Sequence, residues 1–175
     1  MEDLRFPVGP LDFDSPISEQ DHARFIDEIE ATPDSLRRAI AGLDAKQMAT
    51  PYRDGGWTVT QVVHHLPESH MQAYTRCKLA LTEDNPIIKP YDEAKWAELP
   101  DVSNTSPEVS LTLLEALHAR WVNLLRSLTP AQLQRSFVHP EHGRSITIER
   151  LLSLYAWHGR HHIAHITRLR ERNGW

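Results

Sequence analysis

Leu151-Leu152-Ser153-Leu154-Tyr155-Ala156-Trp157-His158-Gly159-Arg160-His161-His162-Ile163-Ala164-His165-Ile166-Thr167-Arg168-Leu169 decides the architecture. At about 100° per residue, Leu151, Leu154, Tyr155, Ile166 and Leu169 fall on one face, the mark of an amphipathic helix. His158, His162 and His165 fall within that apolar stripe, and His161 lies at its edge. His158 and His162 stand four apart, so their rings project from one side, one turn apart. Imidazoles set in an apolar stripe need partners, because an unsatisfied buried polar group costs about 1–3 kcal/mol. One shared metal ion would satisfy several of them together.

A second histidine run, Val62-Val63-His64-His65-Leu66-Pro67-Glu68-Ser69-His70, lies nearly ninety residues upstream. Thr58 with Gln61 forms a capping box for a helix from Val59 to about Leu81. Its stripe is Val59, Val62, Val63, Leu66, Ala73, Cys77 and Ala80. His70 falls nearest the stripe centre. His65 lies on one flank with Ser69, Gln72 and Arg76, and His64 lies on the other. The period therefore leaves the third ligand open and leans to His70. Two imidazoles from one helix and one from another leave a coordination position open, which marks a reactive metal rather than a structural one. A fourth protein ligand such as His70 or Glu68 would close the site and make it structural.

The rest of the chain supplies two more long helices. Ser18 with Asp21 is an acidic variant of the capping box. It opens a helix to about Gly42, with Phe25, Ile26, Ile29, Leu36, Ile40 and Leu43 on its apolar side. Pro33 falls inside this helix and predicts a kink or a break. Thr50 to Trp57 is a turn by composition. A Pro- and Asp-rich link follows the second helix, with a short helix around Glu93–Leu99. Ser106-Pro107 starts a third helix running to about Leu128. Its apolar side is Leu114, Leu117, Trp121, Leu124, Leu125 and Leu128. Thr129-Pro130 starts a short turn. Phe137-Val138-His139 and Ser145-Ile146-Thr147, around Pro140-Glu141-His142-Gly143, predict a small β-hairpin. Thr147 caps the last helix, from Ile148 to about Arg172. The expectation is an all-α four-helix bundle with a β-hairpin before the last helix. It forms one domain over residues 1–175, with residues 1–17 as an N-terminal arm. The long link between the second and third helices is the crossover.

A net charge of -5 argues against a nucleic-acid partner, which usually meets a basic stripe. Cys77 is the one cysteine, so neither an internal disulfide nor a Cys-based zinc motif can form. No stretch approaches the roughly 18 apolar residues of a membrane span. Met1-Glu2-Asp3-Leu4-Arg5-Phe6-Pro7 shows no signal-peptide pattern, and the expected location is cytoplasmic.

Several blocks together carry a family resemblance. They are Thr50-Pro51-Tyr52-Arg53-Asp54-Gly55-Gly56-Trp57-Thr58-Val59, Gln61-Val62-Val63-His64-His65-Leu66 and Ser69-His70-Met71. Lys89-Pro90-Tyr91-Asp92-Glu93, Leu117-His118, Arg120-Trp121, His139-Pro140, Trp157 to Thr167 and Gly174-Trp175 complete the set. In these the chain resembles the DinB superfamily of metal-binding four-helix proteins, and within it the YfiT-like branch of metal-dependent hydrolases. The resemblance implies His65, His158 and His162 as metal ligands. It implies zinc or nickel as the metal, a homodimer and a cytoplasmic location. Some members of the branch look like S-transferases that use a low-molecular-weight thiol such as bacillithiol. Pro67 departs from the branch, where relatives carry a small helix-compatible residue. It removes the helical bond to Val63 two residues after His65 and puts the aim of that ligand in question.

Three functions follow as expectations. The first is a hydrolase acting on a small molecule through water activated at the three-histidine metal, with Glu68 as a candidate base. The second is a metal-dependent thiol S-transferase. The third is a non-catalytic metal-binding bundle. His70, His161 and His165 are candidates for hydrogen bonding behind the ligands. Arg53-Asp54-Gly55-Gly56 reads as a structural turn, and Tyr74, Arg76 and Cys77 as core or flank.

Overall fold

In the computed structural model, which describes residues 3–141 and 143–175, four long helices form a bundle. They are α1 (Glu19–Ile40), α3 (Val59–Thr82), α6 (Pro107–Arg126) and α8 (Ile148–Asn173). Short helices fill the links: α2 (Ala45–Met48), α4 (Glu93–Trp96), α5 (Pro100–Asn104) and α7 (Pro130–Leu133). His142, in the predicted hairpin turn, and Met1 and Glu2, at the start of the predicted arm, lie outside the described residues.

Side-chain caps fix the helix starts. The Ser18 and Thr58 side chains accept from the Asp21 and Gln61 amides, and both capping boxes close. Ser106 and Thr147 cap α6 and α8. The sequence expectations missed α2, whose box is Asp44 with Gln47. The helix expected around Glu93–Leu99 resolves into α4 and α5, because Pro100 can only begin a helix anew. The hairpin forms as β1 (Ser136–His139) against β2 (Arg144–Thr147), antiparallel, with Phe137 opposite Ile146. Its outer edge is held by Ile88 donating to Val138 and Val138 donating to Pro86.

Each long helix packs on two neighbours: α1 on α8 and α6, and α3 on α6 and α8. Thus α1 faces α3 across the diagonal, and α6 faces α8. The core divides into two apolar clusters. One holds Ile29, Cys77, Trp121, Phe137 and Leu152. The other holds Leu36, Val62, Leu66, Leu114 and Ile166. Along α1 and α8 the chain passes from the first cluster to the second; along α3 and α6 it passes the other way. So α3 and α6 run parallel, and the link over residues 83–106 returns the chain along the bundle as the expected crossover. The layer between the clusters is polar: Thr32 on α1, His65, Ser69 and His70 on α3, His118 on α6, and His158, His161, His162 and His165 on α8.

Neither internal proline breaks its helix. The break that was one of the two outcomes expected at Pro33 does not occur: α1 is one unbroken helix. Tertiary packing of its apolar face outweighs the one lost hydrogen bond, and the carbonyl that Pro33 leaves free finds a partner across the bundle.

Candidate metal centre

Helix α3 brings His65, and α8 brings His158 and His162, to one point in the polar layer. Their ligand-capable nitrogens lie within 4.8 Å of one another. His65 Nε2 and His158 Nε2 are 3.3 Å apart. Two nitrogens on a tetrahedral ion at about 2.0–2.1 Å stand about 3.3 Å apart, so this pair already has the spacing of a metal site. His65 and His162 are buried and His158 is partly buried. Burial penalises the imidazolium, bringing His65 down to about 4 and His158 and His162 well below the ordinary value. All three are therefore neutral near pH 7, with lone pairs free. A neutral nitrogen set without a carboxylate suits a borderline divalent cation.

Behind His158 runs a chain of hydrogen bonds whose direction is fixed at its far end. His118 Nδ1 lies 2.6 Å from the Ile29 carbonyl oxygen. A carbonyl only accepts, so His118 carries its proton on Nδ1 and its Nε2 is a lone pair. His70 Nδ1 lies 2.8 Å from that Nε2 and must donate, leaving His70 Nε2 as acceptor. His158 Nδ1, 3.2 Å from His70 Nε2, must then donate in turn. The remaining nitrogen of His158, Nε2, is the one that faces His65. The Ile29 carbonyl is available because residue 33, which would donate to it in an ordinary helix, is proline and has no N–H.

His70, favoured by periodicity, thus bonds the opposite side of the His158 ring rather than joining the cluster. His64 faces away from it, hydrogen-bonded to Ser110 at 2.7 Å. His165 stacks on Tyr52 with centroids 3.8 Å apart and hydrogen-bonds the Arg5 carbonyl, while His161 stacks on Trp157. Pro67 leaves His65 within the cluster. Glu68 is half-buried and does not line the pocket beside the site. Cys77 is buried outside that pocket, and burial pushes its thiol up to about 11.

The cluster opens into a pocket of about 530 Å³ walled by Tyr52, Trp57, Ser69, Arg76, Tyr91 and Tyr155 among others. Sequence reasoning passed over most of these. Tyr52 and Trp57 belong to the turn before α3, whose backbone is closed by Tyr52 donating to the Trp57 carbonyl. Only their place beside a known cavity distinguishes them from ordinary turn aromatics. Among the described residues, His65, His158 and His162 are the one group of three able to share an ion.

A bundle of this topology with a histidine cluster at a pocket defines a class, and a family profile described as DinB superfamily matches residues 28–166. The chain belongs to the DinB superfamily. It is 57% identical over 175 residues to a Bacillus mycoides (strain KBAB4) protein named "Putative metal-dependent hydrolase", with the whole of both chains covered. Proteins of the same name from Bacillus cereus (strain 03BB102) and Bacillus anthracis (strain A0248) are 57% and 56% identical over the same full length. Among solved structures it is similar to YfiT from Bacillus subtilis, described as "a probable metal-dependent hydrolase with an unusual four-helix bundle topology". The TM-score is 0.95 and the identity 49%, with 98% of each chain covered.

Proposed function

We propose that this chain is a metal-dependent hydrolase of small molecules, with one divalent ion held by His65, His158 and His162. The observation that carries it is the convergence of three neutral imidazoles at the wall of an open pocket. When bound, such an ion supplies Lewis acidity and brings the ionisation of water into the neutral range. The protein's share is to hold the three rings, to keep the His158 proton on Nδ1 through His70 and His118, and to shape the cavity.

The three-residue cluster favours catalysis over a purely structural metal. His70 already bonds His158, and Glu68 does not line the pocket, so the two candidates for a closing fourth ligand are elsewhere. Zinc is the preferred ion and nickel the alternative, since imidazole suits both. A low-molecular-weight thiol is the alternative occupant of the open position, making the chain an S-transferase. The buried Cys77 offers no competing thiol of the protein's own. We assign the protein to the cytoplasm and to a homodimer. Among the described residues no helix is long and apolar enough to cross a membrane.

Elemental analysis of the wild type, His158→Ala and His162→Ala is the direct test. One ion per chain is expected in the wild type and a large loss in both variants; unchanged metal in both would refute the site. Ester hydrolysis and thiol transfer to an electrophile, run on the same metal-loaded sample, separate hydrolase from transferase.

A further inference from the structure

Arg76 lies on α3 on the same flank as His65, Ser69 and Gln72. Helical side chains lean toward the N-terminus of their helix, so the Arg76 side chain leans back toward His65. Both line the same pocket. Arg76 is only 9% exposed, and its Nε is buried with no hydrogen-bond partner. Among the described residues no carboxylate oxygen pairs with it within 4.0 Å. A buried guanidinium without a counter-ion is costly, and proteins rarely retain one unpaired.

Among the described residues the surroundings do not supply the missing negative charge. Tyr155, the phenol whose titration Arg76 influences, is pushed up by burial and stays protonated. Tyr91, beside Ser69, is likewise pushed up. The Tyr155 hydroxyl donates to the Ser69 carbonyl at 3.2 Å. The acids that line the pocket, Glu93 and Glu141, are exposed. A second guanidinium of the pocket, Arg53, also has a buried, unpartnered Nε. The cavity thus holds cationic and neutral donors inside and its carboxylates in solvent.

We propose that the pocket takes a substrate bearing an oxyanion, carboxylate or phosphoryl, which pairs with Arg76 while the bond to be cleaved lies at the histidine cluster. This deepens the hydrolase reading and, for its location relative to the reacting centre, rests on it. A guanidinium fork matches either oxyanion with two parallel hydrogen bonds. The distal anion orients the substrate, and Arg76 is a specificity residue rather than a catalytic one.

The test separates the two claims by stripping the metal. Acetate and inorganic phosphate are titrated separately into metal-free protein, followed by calorimetry and by the Arg76 Nε–H resonance. Saturable binding of at least one anion is expected, with a shift of that resonance. Arg76→Met should weaken it by about tenfold or more, the value of a lost charge-assisted hydrogen bond, and Arg76→Lys by less. Binding of acetate alone assigns a carboxylate substrate; binding of phosphate alone assigns a phosphoryl one. The proposal is overturned if the wild type binds neither anion, if Arg76→Met binds as tightly as wild type, or if only Arg53→Met abolishes binding. Should Arg76→Met fail to fold, the wild-type resonance and Arg76→Lys decide. Metal content, measured in parallel, should be equal in wild type and Arg76→Met. Loss of the metal site with anion binding intact would sink the hydrolase reading alone.

Discussion

His158 is gripped from both sides by one helix: α3 sends His65 to its Nε2 and His70 to its Nδ1. The two neighbours differ in what they do to it. Replacing His70 by Leu removes the acceptor that holds the proton on Nδ1, and should weaken metal binding about 10–100-fold, the usual cost of losing such a partner. His70→Asn, whose amide can accept from His158, should recover part of it. Metal competition against a chromophoric chelator reads both, and the ring nitrogen shifts of His158 report the tautomer directly. The same geometry explains how far the sequence could identify the site. Spacing fixed His158 and His162, because four residues on one helix is a local fact. It could not choose between His65 and His70, because both reach the same ring, and periodicity states which way a residue faces, not which atom it meets. The resemblance selected His65; the relay through His118 left no local trace, since it depends on a carbonyl of another helix.

Two small features set how the helices meet. Gly159, between the two α8 histidines, lets α8 approach α1: a Cβ there would stand 2.7 Å from Thr32 Oγ1. That hydroxyl is tied to the Glu28 carbonyl at 2.8 Å and cannot swing aside without losing its bond. Gly159→Ala should destabilise by about 1–3 kcal/mol despite alanine's better helix propensity, by overpacking, measurable in urea unfolding. Pro33→Ala should do the opposite to stability and harm the site. It restores an N–H aimed at the Ile29 carbonyl and removes a helix penalty of about 3 kcal/mol, yet makes His118 share its acceptor. The expected result is a raised Tm together with weaker metal binding. Caps and hairpin were readable because Ser18, Thr58, Ser106 and Thr147 act within one turn. The survival of α1 through Pro33 was not, because packing against α6 and α8 decides it.

Across the molecule, a histidine-rich stratum separates two apolar clusters, and this shapes the response to acid. His118 is brought down to about 4 by burial from 6.5. Above pH 6.5 it is neutral whether folded or not, and its full contribution is present. Between the two values the unfolded chain takes a proton that the folded chain refuses, so stability falls as pH falls. From His118 alone the loss is on the order of 3 kcal/mol by about pH 4. Metal-free protein should therefore show a lower urea midpoint at about pH 5 than at about pH 7.5; an equal or higher midpoint would contradict the buried neutral layer.

The segment before α1 also crosses this region. Trp157 Nε1 donates to the Gly9 carbonyl at 3.1 Å, and the Arg5 carbonyl meets His165. Residues 5–9 therefore lie beside the proposed metal centre. A polyhistidine purification handle brings imidazoles of its own, so the stoichiometry of the proposed ion is to be counted on protein from which any such handle has been cleaved.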